Sequence, residues 1–90
     1  MPDVVLPTSL TELFPGAPKR VSVDGATVLE VLDGLDAQFP GMRSRICEPL
    51  EGGPRIRRHL VIFVDDERSD LAGEVKQTSE VRLVPALSGG

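Results

Sequence analysis

Tryptophan and tyrosine are absent from this 90-residue chain, whose aromatics amount to Phe14, Phe39 and Phe63. Proteins that grip single-stranded nucleic acid stack bases on aromatic rings, so that mode of binding lacks its platform. Positive charge is short as well: ten Lys and Arg face fourteen Asp and Glu, for a net charge of -4 at pH 7. Nucleic acid is therefore not an expected partner, whereas a protein with a basic docking face suits the acidic balance.

The single cysteine, Cys47, excludes an intramolecular disulfide and fits a reducing compartment. The single histidine, His59, has no second histidine or nearby cysteine to complete a metal site or a nucleophilic triad, so neither is expected. No basic segment followed by an apolar stretch opens the chain, as a secretory signal requires. The longest apolar run, residues 60–64, is far short of the roughly 20 residues that cross a bilayer. A cytoplasmic protein without membrane contact is expected. Ninety residues make one domain, too small to enclose a deep catalytic cleft. A carrier, binding module or subunit is favoured over a self-contained enzyme.

What is present has a clear order. Val4, Val5 and Leu6 before Pro7 read as a first strand, and residues 20–23 alternate polar and apolar as a second. Together they predict an opening hairpin with a long connection. Thr27 and Glu30 have the spacing of a capping box, with Thr27 as N-cap and Glu30 reaching back to its amide, so a helix should begin near Val28. Val28, Val31, Leu32, Leu35 and Phe39 then form one apolar stripe that Pro40 and Gly41 terminate. Residues 42–50 hold room for a further helical turn, and residues 51–54, with Gly52 and Gly53, are loop by composition.

Residues 60–64 are apolar throughout, as expected of an interior strand covered on both faces, or covered on one and used for docking on the other. An acidic turn at Asp65, Asp66 and Glu67 follows, and residues 71–78 show no clear pattern. Residues 81–84 make the last strand. Pro85 cannot donate a ladder hydrogen bond, so pairing should fail there and the chain leave the sheet. This divides the chain into a domain over 1–84 and a flexible, extended tail over 85–90 that ends in Leu87, Ser88, Gly89 and Gly90.

Strand, strand, helix, strand, strand is an α+β arrangement in which one amphipathic helix lies across one face of a small mixed sheet. With the hairpin, the capped helix, the acidic turn and the run Leu83-Val84-Pro85-Ala86-Leu87-Ser88-Gly89-Gly90, the chain resembles the ThiS/MoaD sulfur-carrier family over essentially its whole length, and most of all its CysO-type carriers. The fold the resemblance implies is the ubiquitin-like β-grasp with a diglycine terminus.

An α-carboxyl group ionises at about pH 3.3–3.7, so the Gly90 carboxylate is a poor electrophile at neutral pH and needs activation. The resemblance implies that a partner of the ubiquitin-activating type adenylates Gly90 with ATP, and that sulfur then displaces AMP to leave a thiocarboxylate. Sulfur would pass to a biosynthetic product such as cysteine or a thiosugar through a sulfur-accepting synthase. A desulfurylating or tail-processing hydrolase is a further implied partner; no cofactor is expected on the chain itself. An extended tail from Pro85 reaches roughly 17 Å, with Leu87, Ser88, Gly89 and Gly90 entering the partner. Two relatives in kind stay open: the small subunit of molybdopterin synthase, and a ubiquitin-like modifier that forms isopeptides through Gly90.

Other features have plainer readings. Cys47 is expected to be a small buried hydrophobe, and Gly52-Gly53 a loop. Arg43, Arg45, Arg55, Arg57, Arg58 and His59 form either a solvated loop face or a surface for an anion or acidic partner. On the central strand, either Val61 and Phe63 or Leu60, Ile62 and Val64 face away from the helix; Val61 and Phe63 are taken as the candidate docking patch.

Overall fold

The computed structural model describes residues 1–86. In chain order the elements are β1 (Asp3–Val5), α1 (Thr8–Thr11), β2 (Arg20–Ser22), α2 (Val28–Gln38), α3 (Met42–Ile46), β3 (Cys47–Glu48), β4 (Arg55–Ile56), β5 (Leu60–Val64), β6 (Glu67–Arg68) and β7 (Glu80–Pro85). Five strands form one sheet in the order β2-β1-β7-β5-β6, in which β1 and β7 run parallel and every other pair is antiparallel. This mixed sheet with one main helix across a face is the β-grasp architecture expected from the sequence.

The helix α2 follows its pattern. Thr27 accepts a hydrogen bond from the Glu30 amide at 3.2 Å and so satisfies one of the free N–H groups at the helix start. Glu30 reaches back to the Ala26 amide (3.3 Å) and the Thr27 hydroxyl (3.4 Å), one residue away from the partner that a simple capping box predicts. Val28, Val31, Leu32 and Leu35 are fully buried, and Phe39 packs partly exposed against the same cluster. Burying each such side chain is worth about 1.5–3 kcal/mol, which offsets the low intrinsic stability of an 11-residue helix.

On the sheet, side chains alternate. Val4, Val21, Leu60, Ile62, Val81 and Leu83 belong to the core under α2, while Val61 and Phe63 stand outside that cluster and are only half buried. The ambiguity about β5 is thus resolved: Leu60 and Ile62 point to the helix, with Val64 packed partly against the same core.

Several short elements escape the sequence patterns. The connection between β1 and β2 contains α1, which anchors buried Leu10. The expected loop at residues 51–54 is the tip of a small hairpin in which Cys47 pairs with Ile56 and Glu48 with Arg55. The tip closes through Gly53 N to Leu50 O (2.9 Å), with Gly52 and Gly53 at φ 92° and 126°, backbone conformations that suit glycine. The acidic turn joins β5 to β6 by two residues, Asp65 and Asp66, both at positive φ (50° and 68°). That is the geometry of the tight hairpin turn whose twist matches the flanking strands.

The expectation that pairing fails at Pro85 is corrected. Pro85 lies in register opposite Leu60, and the Ala86 amide donates to the His59 carbonyl at 2.8 Å. At the other end of the ladder the Asp65 amide donates to the Glu80 carbonyl (2.9 Å). In an antiparallel ladder, hydrogen-bonded pairs alternate with non-bonded ones. The bonded pairs therefore involve Glu80, Arg82, Val84 and Ala86, and Pro85 falls at a non-bonded pair. Its missing N–H would have pointed toward β1, which pairs with β7 only as far as Arg82. The proline therefore costs the β5 ladder nothing.

Candidate functional site

Two features converge on one end of the molecule: the exit of the terminal segment and the face of the sheet that α2 leaves uncovered. The predicted insertion residues Leu87, Ser88, Gly89 and Gly90 lie outside the described residues. Their root is well positioned, because β7 is held by β1 on one side and by β5 on the other. The chain is thus delivered at Ala86 from the interior of the sheet rather than from an edge.

The uncovered face is built from the residues that alternate with the core. Across the five strands the register aligns Arg20, Val5, Arg82, Phe63 and Arg68 in one row. Beside it, nearer the terminal exit, Val84 pairs with Val61; on the other side lie Ser22, Asp3 and Glu80. Val5 is only 7% exposed although it is not part of the core cluster, which fits its place between the long stems of Arg20 and Arg82. Val5, Val61, Phe63 and Val84 are therefore an apolar patch, and Val61 and Phe63 occupy it together.

Carboxylates hold the arginines of this face in place. Arg20 reaches Asp3 at 3.3 Å and Glu80 at 3.2 Å, and Arg82 reaches the other oxygen of Glu80 at 2.9 Å. Hydrogen bonding from Arg82, and then from Arg20, lowers the Glu80 pKa below the ordinary carboxyl value. At the turn, Asp65 accepts from the Glu80 amide (2.9 Å) and from the Ser79 hydroxyl (2.8 Å), and these bonds lower its pKa as well. The carboxylate ties the left-handed turn residue to the start of β7, and buried Ser79 is satisfied in both directions by also accepting from the Lys76 amide.

The residues of the basic stretch are engaged differently. Arg43 pairs with Asp33 (3.2 Å), Arg55 with Glu48 (3.2 Å), and Arg57 contacts Glu48 at 4.0 Å while donating to the Ser44 carbonyl at 2.9 Å. Arg45, Arg58 and His59 have no ion pair among the described residues. Cys47 is buried, and burial raises its thiol pKa against the opposing influence of Arg43, so the thiolate is disfavoured. Among the described residues no three His, Cys, Asp or Glu side chains come together as a metal site, and no helix is long and apolar enough to cross a membrane.

Sequence reasoning named Val61 and Phe63 but missed Val5, Arg82, Val84 and Arg68 around them. For β7 the signal was available: Glu80, Arg82 and Val84 alternate with buried Val81 and Leu83. For Arg68 it was not, because β6 has only two residues.

Comparison with known proteins agrees with the fold. The ThiS family profile matches residues 4–90. The chain is 32% identical over 91 residues to the sulfur carrier protein CysO of Mycobacterium tuberculosis, covering 97% of this chain and 96% of that protein. The fold superimposes on CysO in the crystal structure of the Amycolatopsis orientalis BexX/CysO complex with a TM-score of 0.85 and 30% identity, over 100% of both chains. It also superimposes on SAMP1 of Haloferax volcanii with a TM-score of 0.71 and 30% identity, over 99% of this chain and 98% of that one.

Proposed function

The chain belongs to the ThiS family, and from that premise we propose that it is a sulfur carrier rather than a catalyst. The observation that carries the reading is the likeness to CysO, a sulfur carrier protein in Mycobacterium tuberculosis, along 97% of the chain. In this reading a partner enzyme joins the Gly90 carboxylate to AMP, releasing pyrophosphate from ATP. A sulfide sulfur then attacks the acyl carbon, the C–S bond forms, the bond to AMP breaks, and a thiocarboxylate remains. Where the donor is an enzyme persulfide, the same attack releases AMP and leaves an acyl disulfide, whose S–S bond a second thiol of the donor enzyme cleaves, forming a disulfide there and freeing the thiocarboxylate. That group donates its sulfur to a biosynthetic acceptor, such as a precursor of cysteine or of a thiosugar.

The fold supports this division of labour. The sheet delivers the chain at Ala86, and the four residues beyond can span at most about 14 Å. That reach suffices for Gly89 and Gly90 to enter a partner's active site while the body stays at the rim, with Leu87 and Ser88 lining the entry. Val61 and Phe63, together with Val5 and Val84, dock the body on the adenylating enzyme. The complex of Amycolatopsis orientalis CysO with BexX is a precedent for a carrier of this fold meeting another protein.

The test is intact-mass measurement after incubation with ATP, an adenylating enzyme of the family and a sulfur source. A gain equal to exchanging one oxygen for sulfur, lost when Gly90 is deleted, is expected; an unchanged mass beside a carrier that the same enzyme does convert would overturn the reading. Gly89→Ala should slow the conversion while leaving the fold intact, because a Cβ enters the narrowest part of the channel.

A second reading, a protein modifier that forms isopeptides through Gly90, is favoured by the likeness to SAMP1, which is described as a small archaeal modifier protein. Covalent ladders on other proteins, abolished by deletion of Gly90, would support it.

A further inference from the structure

Beside β5, on the side opposite β7 and short of where β6 pairs, runs a groove of ≈ 600 Å³ that shares Val61 and Arg68 with the uncovered sheet face. Ile56, Leu60, Ile62 and Leu71 line it, and Ala86 stands at its border, so it adjoins the root of the terminal segment. The ladder of β5 explains why it is there. Val61 and Phe63 form the hydrogen-bonded pairs with β7, so Leu60 and Ile62 turn their backbone groups toward the groove. Two of those four groups are used: the Leu60 amide donates to the Arg57 carbonyl (3.0 Å) and the Ile62 carbonyl accepts from Ser69 (2.9 Å). The Leu60 carbonyl and the Ile62 amide make no backbone hydrogen bond among the described residues.

An acceptor and a donor two residues apart on one strand edge are what one residue of an added parallel strand satisfies, with its own N–H and C=O. The rim supplies the charge preference. Arg55, Arg57, Arg58 and Arg68 all border the groove, against one carboxylate, Asp70, which is occupied by the Ala72 amide at 2.9 Å. Arg58 and Arg68 have no ion pair among the described residues, and this in a chain of net charge -4. A local basic edge on an acidic protein is the electrostatic complement of an acidic strand.

We propose that this groove takes an acidic, extended segment of a partner protein, paired with β5 at the short stretch from Leu60 to Ile62 that β6 leaves uncovered, between Arg58 and Arg68. The inference rests on the carrier reading for its setting, since a protein that handles Gly90 is brought over Ala86 and hence over the groove. The uncovered face would then hold the body of that partner, and the groove its acidic arm.

The experiment titrates the ¹⁵N-labelled full chain with an end-blocked hexapeptide alternating glutamate and valine, and with its lysine–valine counterpart. The glutamate peptide should shift the amides of Arg58, Ile62 and Leu71 and slow hydrogen exchange at the Ile62 amide; the lysine peptide should do neither. Arg58→Glu combined with Arg68→Glu, both exposed, should weaken binding at least about tenfold. Deleting Gly89 and Gly90 should leave the titration unchanged, so a failed sulfur-carrier test and a failed groove test are read separately. Absence of shifts, shifts confined to Val5, Arg82 and Phe63, tighter binding of oligouridylate than of the peptide, or a marked gain in affinity on deleting residues 87–90 would each overturn the proposal.

Discussion

The two faces of the five-stranded sheet are written on the same strands, one residue out of step, and they do different work. On the covered face Val4, Val21, Ile62, Val81 and Leu83 are at most 6% exposed and belong to the apolar core cluster. On the uncovered face Val5, Val61, Phe63 and Val84 alternate with Arg20, Arg82, Glu80 and Asp3, whose charges are paired with each other. The first face determines whether the chain folds. The second holds apolar area in a fixed charged frame, which is what its proposed docking role requires. Substitutions should therefore separate cleanly by residue parity.

The most direct way to break that comparison is to truncate both faces of the same strands. Leu83→Ala or Ile62→Ala should cost about 2–5 kcal/mol, since a fully buried side chain leaves a cavity. Val84→Ala and Val61→Ala should each cost less than about 1 kcal/mol, because these side chains keep part of their solvent exposure. Urea midpoints measure all four. Similar losses on both faces would mean that the uncovered patch is structural, and its proposed docking role would lose its basis. The reverse signature belongs to association: Phe63→Ser should weaken binding to the adenylating enzyme about tenfold or more.

Parity was legible in the sequence where elements were long enough to show a period. The stripe from Val28 to Phe39 placed α2 correctly, and the alternation of residues 80–84 contained both faces of β7. Among the elements of two to four residues, β1 and β2 showed because apolar residues and alternation run past their ends into flanking turn signals, whereas α1, β3, β4 and β6 are too short to carry a period and have no such extension. Pro85 misled differently. A missing N–H ends a strand only when it faces a partner, and which edge it faces depends on the register, a tertiary property. The choice between Val61 with Phe63 and the other three residues of β5 likewise waited on where α2 sits. The Gly90 chemistry, conversely, is what the family resemblance implies, and Gly90 lies beyond the described residues.

A smaller effect comes from the interface between α2 and the covered face. A Cβ on Gly34 would fall inside the van der Waals shell of Val23 Cγ1, so the helix approaches β2 as closely as it does because this residue lacks a side chain. Gly34→Ala gains about 1 kcal/mol of helix propensity and pays roughly 1–3 kcal/mol in overpacking. A net loss on the order of 1 kcal/mol is expected in the same urea titration, and a stabilised variant would show that α2 can shift without disturbing the core.

Acid separates the faces again. Asp65 has its pKa lowered from 3.8, chiefly by the Glu80 amide and then by Ser79. A carboxyl whose folded value lies below its unfolded one contributes stability that is fully present above the unfolded value and is lost as pH falls through the folded value. Asp65→Asn should therefore flatten the fall in stability below about pH 4, with the variant less stable than the parent at neutral pH and the gap closing in acid. An unchanged acid limb would remove the turn carboxylate from the account.

The least costly change should be Arg20→Gln, although Arg20 joins three strands through Asp3 and Glu80. Its side chain is 53% exposed, so water screens both pairs and holding a long side chain in one geometry costs entropy. The loss in folding stability should be under about 1 kcal/mol and shrink further in 1 M salt, where screening acts within a few ångströms. What the pairs supply is order: with Arg20 replaced, Glu80 keeps Arg82 but Asp3 keeps only the Ser22 hydroxyl at 3.1 Å, and Val5 loses one of the stems beside it. Faster hydrogen exchange at β1 and β2 with a nearly unchanged urea midpoint is the expected result. A loss of several kcal/mol would instead make the charged frame part of the folding core and erase the distinction between the two faces.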